Sequence, residues 1–254
     1  MENEAPLEAQ HLTLSWDGGK TIVVSDVSVR LMAGEMVAMV GRSGCGKTTL
    51  LHALSGLTVP LEGKVFAHGK DITGVPGQVS YMLQKDLLLD HLKIIDNVCL
   101  PLTVKGVKKA EAREQAAELF GRFGLSGSEL SWPSQLSGGM RQRAAFLRTY
   151  LMGNDVMLLD EPFSALDAFT RMDLREWYRD MAKDLGIASL IITHDVDEAA
   201  LMADRIYVLV GTPSAGIPTE VGSVIDVARI DVPDFSVTEE FLAAKRAVLA
   251  GLAG

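Results

Sequence analysis

Met36-Val37-Ala38-Met39-Val40 leads directly into Gly41-Arg42-Ser43-Gly44-Cys45-Gly46-Lys47-Thr48, and that in turn into Thr49-Leu50-Leu51-His52-Ala53-Leu54. An uninterrupted apolar run ending at glycine reads as a strand buried on both faces, and the run after Lys47 reads as a helix. Between them the glycines let the backbone curl so that successive N–H groups and a helix N-terminus face one point, the geometry that cradles a phosphate. Lys47 is spaced to reach terminal phosphates, and the Thr48 hydroxyl to ligate Mg2+. Gly41, Ser43, Gly44, Cys45, Gly46, Lys47, Thr48 and Thr49 are therefore the candidate residues of a phosphate-binding loop, or P-loop.

Val79-Ser80-Tyr81-Met82-Leu83, Val156-Met157-Leu158-Leu159, Ser189-Leu190-Ile191-Ile192 and Ile206-Tyr207-Val208-Leu209-Val210 read as further buried strands. Helical patterns separate several of them, and the alternation predicts an α/β fold with a mainly parallel core sheet. Leu12-Thr13-Leu14-Ser15-Trp16 and Thr21-Ile22-Val23-Val24, joined through Asp17-Gly18-Gly19-Lys20, read as a hairpin belonging to an antiparallel β subdomain. Residues 85–151 read as an inserted helical subdomain. Within it Ala112, Ala116, Leu119, Phe120 and Phe123 fall at helical spacing, while Glu111, Arg113, Glu114 and Glu118 stay solvated. After Pro213 the pattern turns irregular, with Gly216, Pro218, Gly222 and Pro233, before an amphipathic stretch from Thr238 to Leu252. Residues 211–254 read as a peripheral cap on one domain covering 1–254.

The 254 residues, 48% hydrophobic and 22% charged, supply a sizeable core and exclude a disordered, collagen-like or disulfide-stapled chain. With 24 basic and 33 acidic residues the net charge is −9, a field that repels nucleic acid, so no nucleic-acid partner is expected. Cys45 and Cys99 are the only cysteines, which suits a reducing compartment. Met1-Glu2-Asn3-Glu4-Ala5-Pro6 carries no basic or apolar leader pattern. No apolar run approaches the roughly 18 residues of a membrane span, so a cytoplasmic location is expected.

Val156-Met157-Leu158-Leu159 ends in Asp160-Glu161-Pro162, which places two carboxylates at the C-terminal edge of a buried strand, where open α/β sheets bind ligands. Adjacent residues leave a strand on opposite sides, so Asp160 can face a metal while Glu161 faces an attacking water. Leu136-Ser137-Gly138-Gly139-Met140-Arg141-Gln142-Arg143 opens a helix with Ser137 as its cap. It is a second glycine-lined helix terminus suited to an anion. One nucleotide does not easily need both termini from one subunit, whereas a dimer would use both.

These residues resemble the ATP-binding subunit of ATP-binding-cassette (ABC) transporters, within the P-loop NTPases, from about Leu12 to Val210. The P-loop, the Leu136-Ser137-Gly138-Gly139 signature, the carboxylate pair, Ser164-Ala165-Leu166-Asp167 and Thr193-His194-Asp195 stand in the family's order and spacing. The resemblance implies ATP and Mg2+ as ligands. It also implies a head-to-tail dimer, in which ATP lies between the P-loop of one subunit and Ser137 and Gly139 of the other. Gln84 matches the glutamine that touches Mg2+ and the attacking water, and His194 the histidine at the γ-phosphate. Glu161, His194, Lys47 and Gln84 become the catalytic set, and Thr48, Gln84 and Asp160 the metal set. Asp167 matches the aspartate that links the two sites, and as bare sequence it equally caps the helix after it. Trp16 stands where the family stacks an aromatic on adenine, although it also reads as an edge-strand aromatic.

Gln84-Lys85-Asp86-Leu87-Leu88-Leu89 and Asp96-Asn97-Val98 resemble importers of the nitrate, sulfonate and taurine type and related thiamine-precursor importers. Those relatives carry Pro-Trp at Asp90-His91 and a Pro-Arg that Asp231-Val232-Pro233-Asp234 lacks. Separate transmembrane permease subunits, a solute-binding protein and a peripheral position on the cytoplasmic face of the membrane follow from the resemblance. The stretch from Lys85 to Val98 reads either as docking surface or as core, with Leu87 to Leu89 leaning to docking. A soluble ABC ATPase acting as a clamp outside transport is the alternative. A P-loop kinase or GTPase would lack the signature helix.

Overall fold

The computed structural model describes residues 5–229, 232 and 234–253. Met1 to Glu4, Ile230, Asp231, Pro233 and Gly254 lie outside the described residues, and with them part of the leader and Pro-Arg readings.

Strands β1 (Leu7–Ser15) and β2 (Ile22–Leu31) form the expected hairpin, followed by β3 (Met36–Gly41), helix α1 (Lys47–Leu54), β4 (Glu62–Ala67), β5 (Lys70–Asp71) and β6 (Ser80–Met82). Helices α2 (Ile94–Val98), α3 (Leu100–Val104), α4 (Lys109–Phe120) and α5 (Gly138–Tyr150) then precede β7 (Val156–Asp160). The chain continues through α6 (Ala168–Leu185), β8 (Ala188–Thr193), α7 (Val196–Met202), β9 (Arg205–Thr212), β10 (Ile217–Asp226) and α8 (Glu239–Ala253).

One sheet of ten strands runs β5-β4-β1-β2-β10-β9-β3-β8-β7-β6. From β9 to β6 neighbouring strands are parallel, while β1, β2, β4 and β5 pair antiparallel. Every residue of β3 is buried. Val37 and Met39 pack with Leu50, Leu54 and the β2 valines, whereas Ala38 and Val40 pack with α7 and α8. β7 divides in the same way: Val156 and Leu158 face the α1 side, and Met157 and Leu159 face α5 and α6. Each fully buried side chain of this size contributes about 1.5–3 kcal/mol of hydrophobic stabilisation. Leu190→Asp, at a position with no exposure, would strand a charge without a partner and unfold the centre of the sheet.

The hairpin is one-sided, and the parity of its buried residues shifts. Leu7 and Ala9 are buried, then Leu12 and Leu14, with the register shift between Ala9 and Leu12 and His11 in the left-handed region at φ +53°. A bulge at that point keeps both halves of the strand facing the core.

The expectation of irregular chain after Pro213 is overturned. Ile217–Asp226 is a ten-residue strand, antiparallel to β9 and parallel to β2 through Thr219 and Val24. It joins the antiparallel and parallel parts of the sheet. Pro218 and Gly222 hide the strand in the sequence, and of its residues only Thr219 is buried, so no apolar alternation marks it.

Candidate functional site

The turn from β3 to α1 is held from within. Lys47 Nζ donates to the carbonyls of Gly41 at 2.8 Å and Arg42 at 3.0 Å, and the lysine is buried. Among the described residues no carboxylate forms an ion pair with this ammonium, so its charge is free for an anionic ligand. Gly46 caps α1 at φ +94° without a side-chain hydrogen bond. A Cβ there would lie 2.7 Å from Val23 Cγ1, so only glycine fits. The first N–H groups of α1 are left for a ligand. Ser43, Gly44 and Thr48 are exposed around this opening.

Trp16 reaches the same opening from the hairpin loop. Its Nε1 donates to Thr49 Oγ1 at 3.2 Å, and the residue is 56% exposed, so an indole face remains available for stacking. Asp17 fixes that loop by accepting from the Thr21 N–H at 2.6 Å and the Thr21 hydroxyl at 2.8 Å, bonds that also hold its carboxyl below the usual range.

Thr48 Oγ1 donates to Asp160 Oδ2 at 3.1 Å, so the P-loop helix touches the carboxylate pair directly. Burial pushes the Asp160 carboxyl up, the Glu161 charge adds to this, and the Thr48 hydrogen bond opposes it. Tyr81 stands beside Asp160, and burial followed by the Asp160 charge keeps its phenol protonated. The donors here are hard oxygens, and among the described residues no group of three or more His, Cys, Asp or Glu is assembled. Such a set fits a cation that takes few protein ligands and fills its remaining positions with phosphate and water, as Mg2+ does.

Glu161 adopts φ +44°, the left-handed region, with its N–H donating to Ile192 O at 2.9 Å. Gln84 Nε2 donates to Glu161 Oε2 at 3.1 Å, and His194 Nδ1 lies 3.0 Å from Glu161 Oε1. Residues from three strand ends, β6, β7 and β8, therefore converge on one carboxylate. Ser164, to which the sequence reading gave no role, lies beside them, its hydroxyl donating to the main-chain carbonyl of Glu161 at 3.0 Å. Its signal lay in the Ser164-Ala165-Leu166-Asp167 motif. Arg175, also missed, braces the turn after His194 through Asp195 and Glu198, both at 2.9 Å.

Ser137 caps α5, accepting from Met140 N at 3.2 Å, and is exposed. A Cβ on Gly139 would lie 2.8 Å from Thr170 Cγ2, so the signature turn packs on the start of α6. Asp167 caps α6, accepting from Thr170 N at 3.1 Å and the Thr170 hydroxyl at 2.7 Å. The contacts of Ser137 and Gly139 thus run to α5 and α6, whereas those of Lys47 and Thr48 run to the P-loop and Asp160.

The segment after Gln84 divides between surface and core. Leu87 and Leu89 are exposed, but Leu88 packs in the core with Ile94, Ile95 and Val98, which corrects the docking expectation for Leu88. Three leucines in a row carry no periodicity that could separate them. Arg148 on α5 donates to the carbonyls of Asp86 and Leu87, and Arg141 pairs with Asp86 at 3.3 Å, so this loop is tied to the signature helix.

Comparison with known proteins finds the family described as ABC transporter over residues 24–164. The formylaminopyrimidine import ATP-binding protein ThiZ of Halalkalibacterium halodurans is 41% identical over 207 residues, 82% of this chain and 80% of that protein. The sulfate/thiosulfate import ATP-binding protein CysA of Photorhabdus laumondii is 40% identical over 209 residues, 77% of this chain but 58% of that protein's length. A dimeric ATP-binding cassette solved in a post-hydrolysis state bound to ADP and Pi superposes with a TM-score of 0.72 at 26% identity, covering 88% of this chain and all of that one. With the family matched over more than half its length and a relative this similar across most of both proteins, the chain belongs to the ABC transporter family and carries its ATP-binding domain.

Proposed function

We propose that this chain, a single nucleotide-binding domain, is the ATP-hydrolysing subunit of an importer and works as a head-to-tail dimer beneath separate membrane subunits. The observation that carries the reading is the contact between Thr48 and Asp160, which puts the phosphate cradle and the Gln84–Glu161–His194 cluster into one site.

Lys47 and the N–H groups of the P-loop bind the β- and γ-phosphates of ATP and stabilise charge on the transferring phosphoryl group. Glu161 accepts the proton of the attacking water. Gln84 and His194 orient its carboxylate, and the second ring nitrogen of His194 is left for a γ-phosphoryl oxygen. Trp16 stacks on the adenine. Mg2+, held by the Thr48 hydroxyl, the Asp160 carboxylate and the Gln84 amide, neutralises phosphate charge when bound. Ser137 and Gly139 of a second copy close the site over the γ-phosphate, so ATP joins two subunits and its hydrolysis releases them. The exposed signature turn, for which no bond to its own P-loop is found among the described residues, supports that arrangement.

No helix of the described residues is long and apolar enough to cross a membrane. The import role is supported by the names of the relatives, and it calls for permease subunits, a solute-binding protein and a site on the cytoplasmic membrane face. Leu87 and Leu89 are the docking residues of this reading. Cargo choice belongs to the other subunits, because relatives of nearly equal identity carry the names of unlike cargoes.

The test is to load tagged Glu161→Gln protein with ATP and Mg2+ and identify what co-purifies from detergent-solubilised membranes of its source. A multi-span subunit with a binding protein is the expected result. Recovery of soluble or nucleic-acid partners alone would overturn the transport reading and leave the ATPase chemistry standing.

A further inference from the structure

Thr219 lies on β10, outside every motif named above and outside the residues matched to the family. Its side chain is wholly buried, and its hydroxyl donates to the carbonyl oxygen of Cys45, inside the P-loop. The same residue makes the bridge from β10 to Val24 of β2, next to the Val23 side chain that lies under Gly46.

The neighbouring strand makes this approach possible. Gly211 of β9 has φ +143°, and a Cβ there would lie 2.5 Å from Pro218 O and 2.6 Å from Thr219 Cα. Without that Cβ, β10 comes close enough to reach the loop. A second contact arrives from the same C-terminal segment. Arg42 Nη2 donates to Leu252 O in the last turn of α8 at 3.3 Å, where the helix dipole favours a cation.

Filling this space does not require a hydroxyl, since valine has nearly the same shape. The hydroxyl supplies a direction. In a trans peptide the carbonyl of one residue and the N–H of the next point to opposite sides. Holding Cys45 O toward β10 therefore turns the Gly46 N–H away from β10.

We propose that Thr219 is a positioning residue for nucleotide binding, which fixes the Cys45–Gly46 peptide so that the Gly46 N–H meets a phosphate. The proposal rests on the reading of the P-loop as the ATP site. Calorimetric titration of ADP into the wild type, Thr219→Val and Thr219→Ser tests it. Valine, which keeps the shape and loses the bond, weakens ADP binding about two- to tenfold, and serine restores it. Tyr178→Phe, a destabilising change remote from the loop, leaves the ADP affinity unchanged and so separates positioning from general loss of stability. If Thr219→Val does not fold, Thr219→Ala replaces it in the comparison with serine. Wild-type affinity in the valine or alanine variant, or failure of serine to rescue, overturns the role of Thr219. Failure of the wild type to bind ADP overturns the P-loop reading itself and this role with it.

Discussion

His194 Nδ1 lies 3.0 Å from Glu161 Oε1, and the histidine is the first residue beyond β8, while the glutamate is the first beyond β7. Because β7 and β8 are parallel neighbours, with Asp160 opposite Ile192, the two side chains leave the same edge of the sheet together. The pairing is thus a product of register, and the Gln84 amide completes it from the end of β6.

Glu161→Gln keeps the shape of this cluster but removes the proposed proton acceptor. ATP hydrolysis falls by about a hundredfold or more, within the usual contribution of a general base, while ATP affinity stays near the wild-type value. Steady-state phosphate release and equilibrium nucleotide binding, measured on the same preparation, check both halves. Full turnover in the variant would remove Glu161 from the chemistry.

Ser137 serves its own helix as a cap and, in the proposed dimer, a partner's ATP. Aspartate caps as well as serine, so Ser137→Asp retains the melting temperature. It also sets a negative charge against the γ-phosphate across the interface, which lowers ATPase activity by about a hundredfold or more. A stable, fully active Ser137→Asp protein would contradict the composite site.

Asp96 on α2 accepts from Arg113 Nε and Nη2 on α4, both at 2.9 Å, and pairs with Lys109 at 3.2 Å. The Arg113 hydrogen bonds hold its carboxyl below the ordinary 3.8. The unfolded chain therefore takes up this proton first as pH falls. The bridge stabilises fully above the ordinary value and is lost as pH drops through the lower, folded one. At neutral pH Asp96→Asn costs about 1 kcal/mol, a small figure because the arginine is partly solvated. The difference in urea midpoint between wild type and variant should shrink below pH 3.8. A gap that persists in acid would assign the effect to packing.

Tyr178 is buried against Phe146, with ring centroids 4.6 Å apart, and its hydroxyl meets the buried Ser189 hydroxyl at 2.7 Å. Tyr178→Phe leaves Ser189 without this partner between α6 and β8, at a cost of about 1–2 kcal/mol. Urea denaturation reads this directly, and an unchanged midpoint would show that Ser189 finds another partner.

The parallel strands and the P-loop were legible because burial on both faces leaves uninterrupted apolar runs, and because strand, glycine loop and helix follow one another without a gap. Glu161, Gln84 and His194 were legible as strand-end residues, but their convergence depends on which strands are neighbours. β6, β7 and β8 come together from positions separated by whole helices, an order that no local pattern encodes. β10 escaped because a strand with only Thr219 fully buried has no hydrophobic period to detect. Leu88 turns into the core beside a buried Asn97 that accepts from the N–H of Leu89 at 2.6 Å, a contact from outside the leucine run that three consecutive leucines do not announce.

At φ +44°, Glu161 occupies a conformation that costs an L-residue about 1–2 kcal/mol relative to glycine. Glycine at that position would relax the backbone and remove the carboxylate at one stroke. The chain therefore holds the carboxylate of the proposed proton acceptor where backbone strain favours its loss, and selection for thermostability without selection for turnover should erode position 161 early.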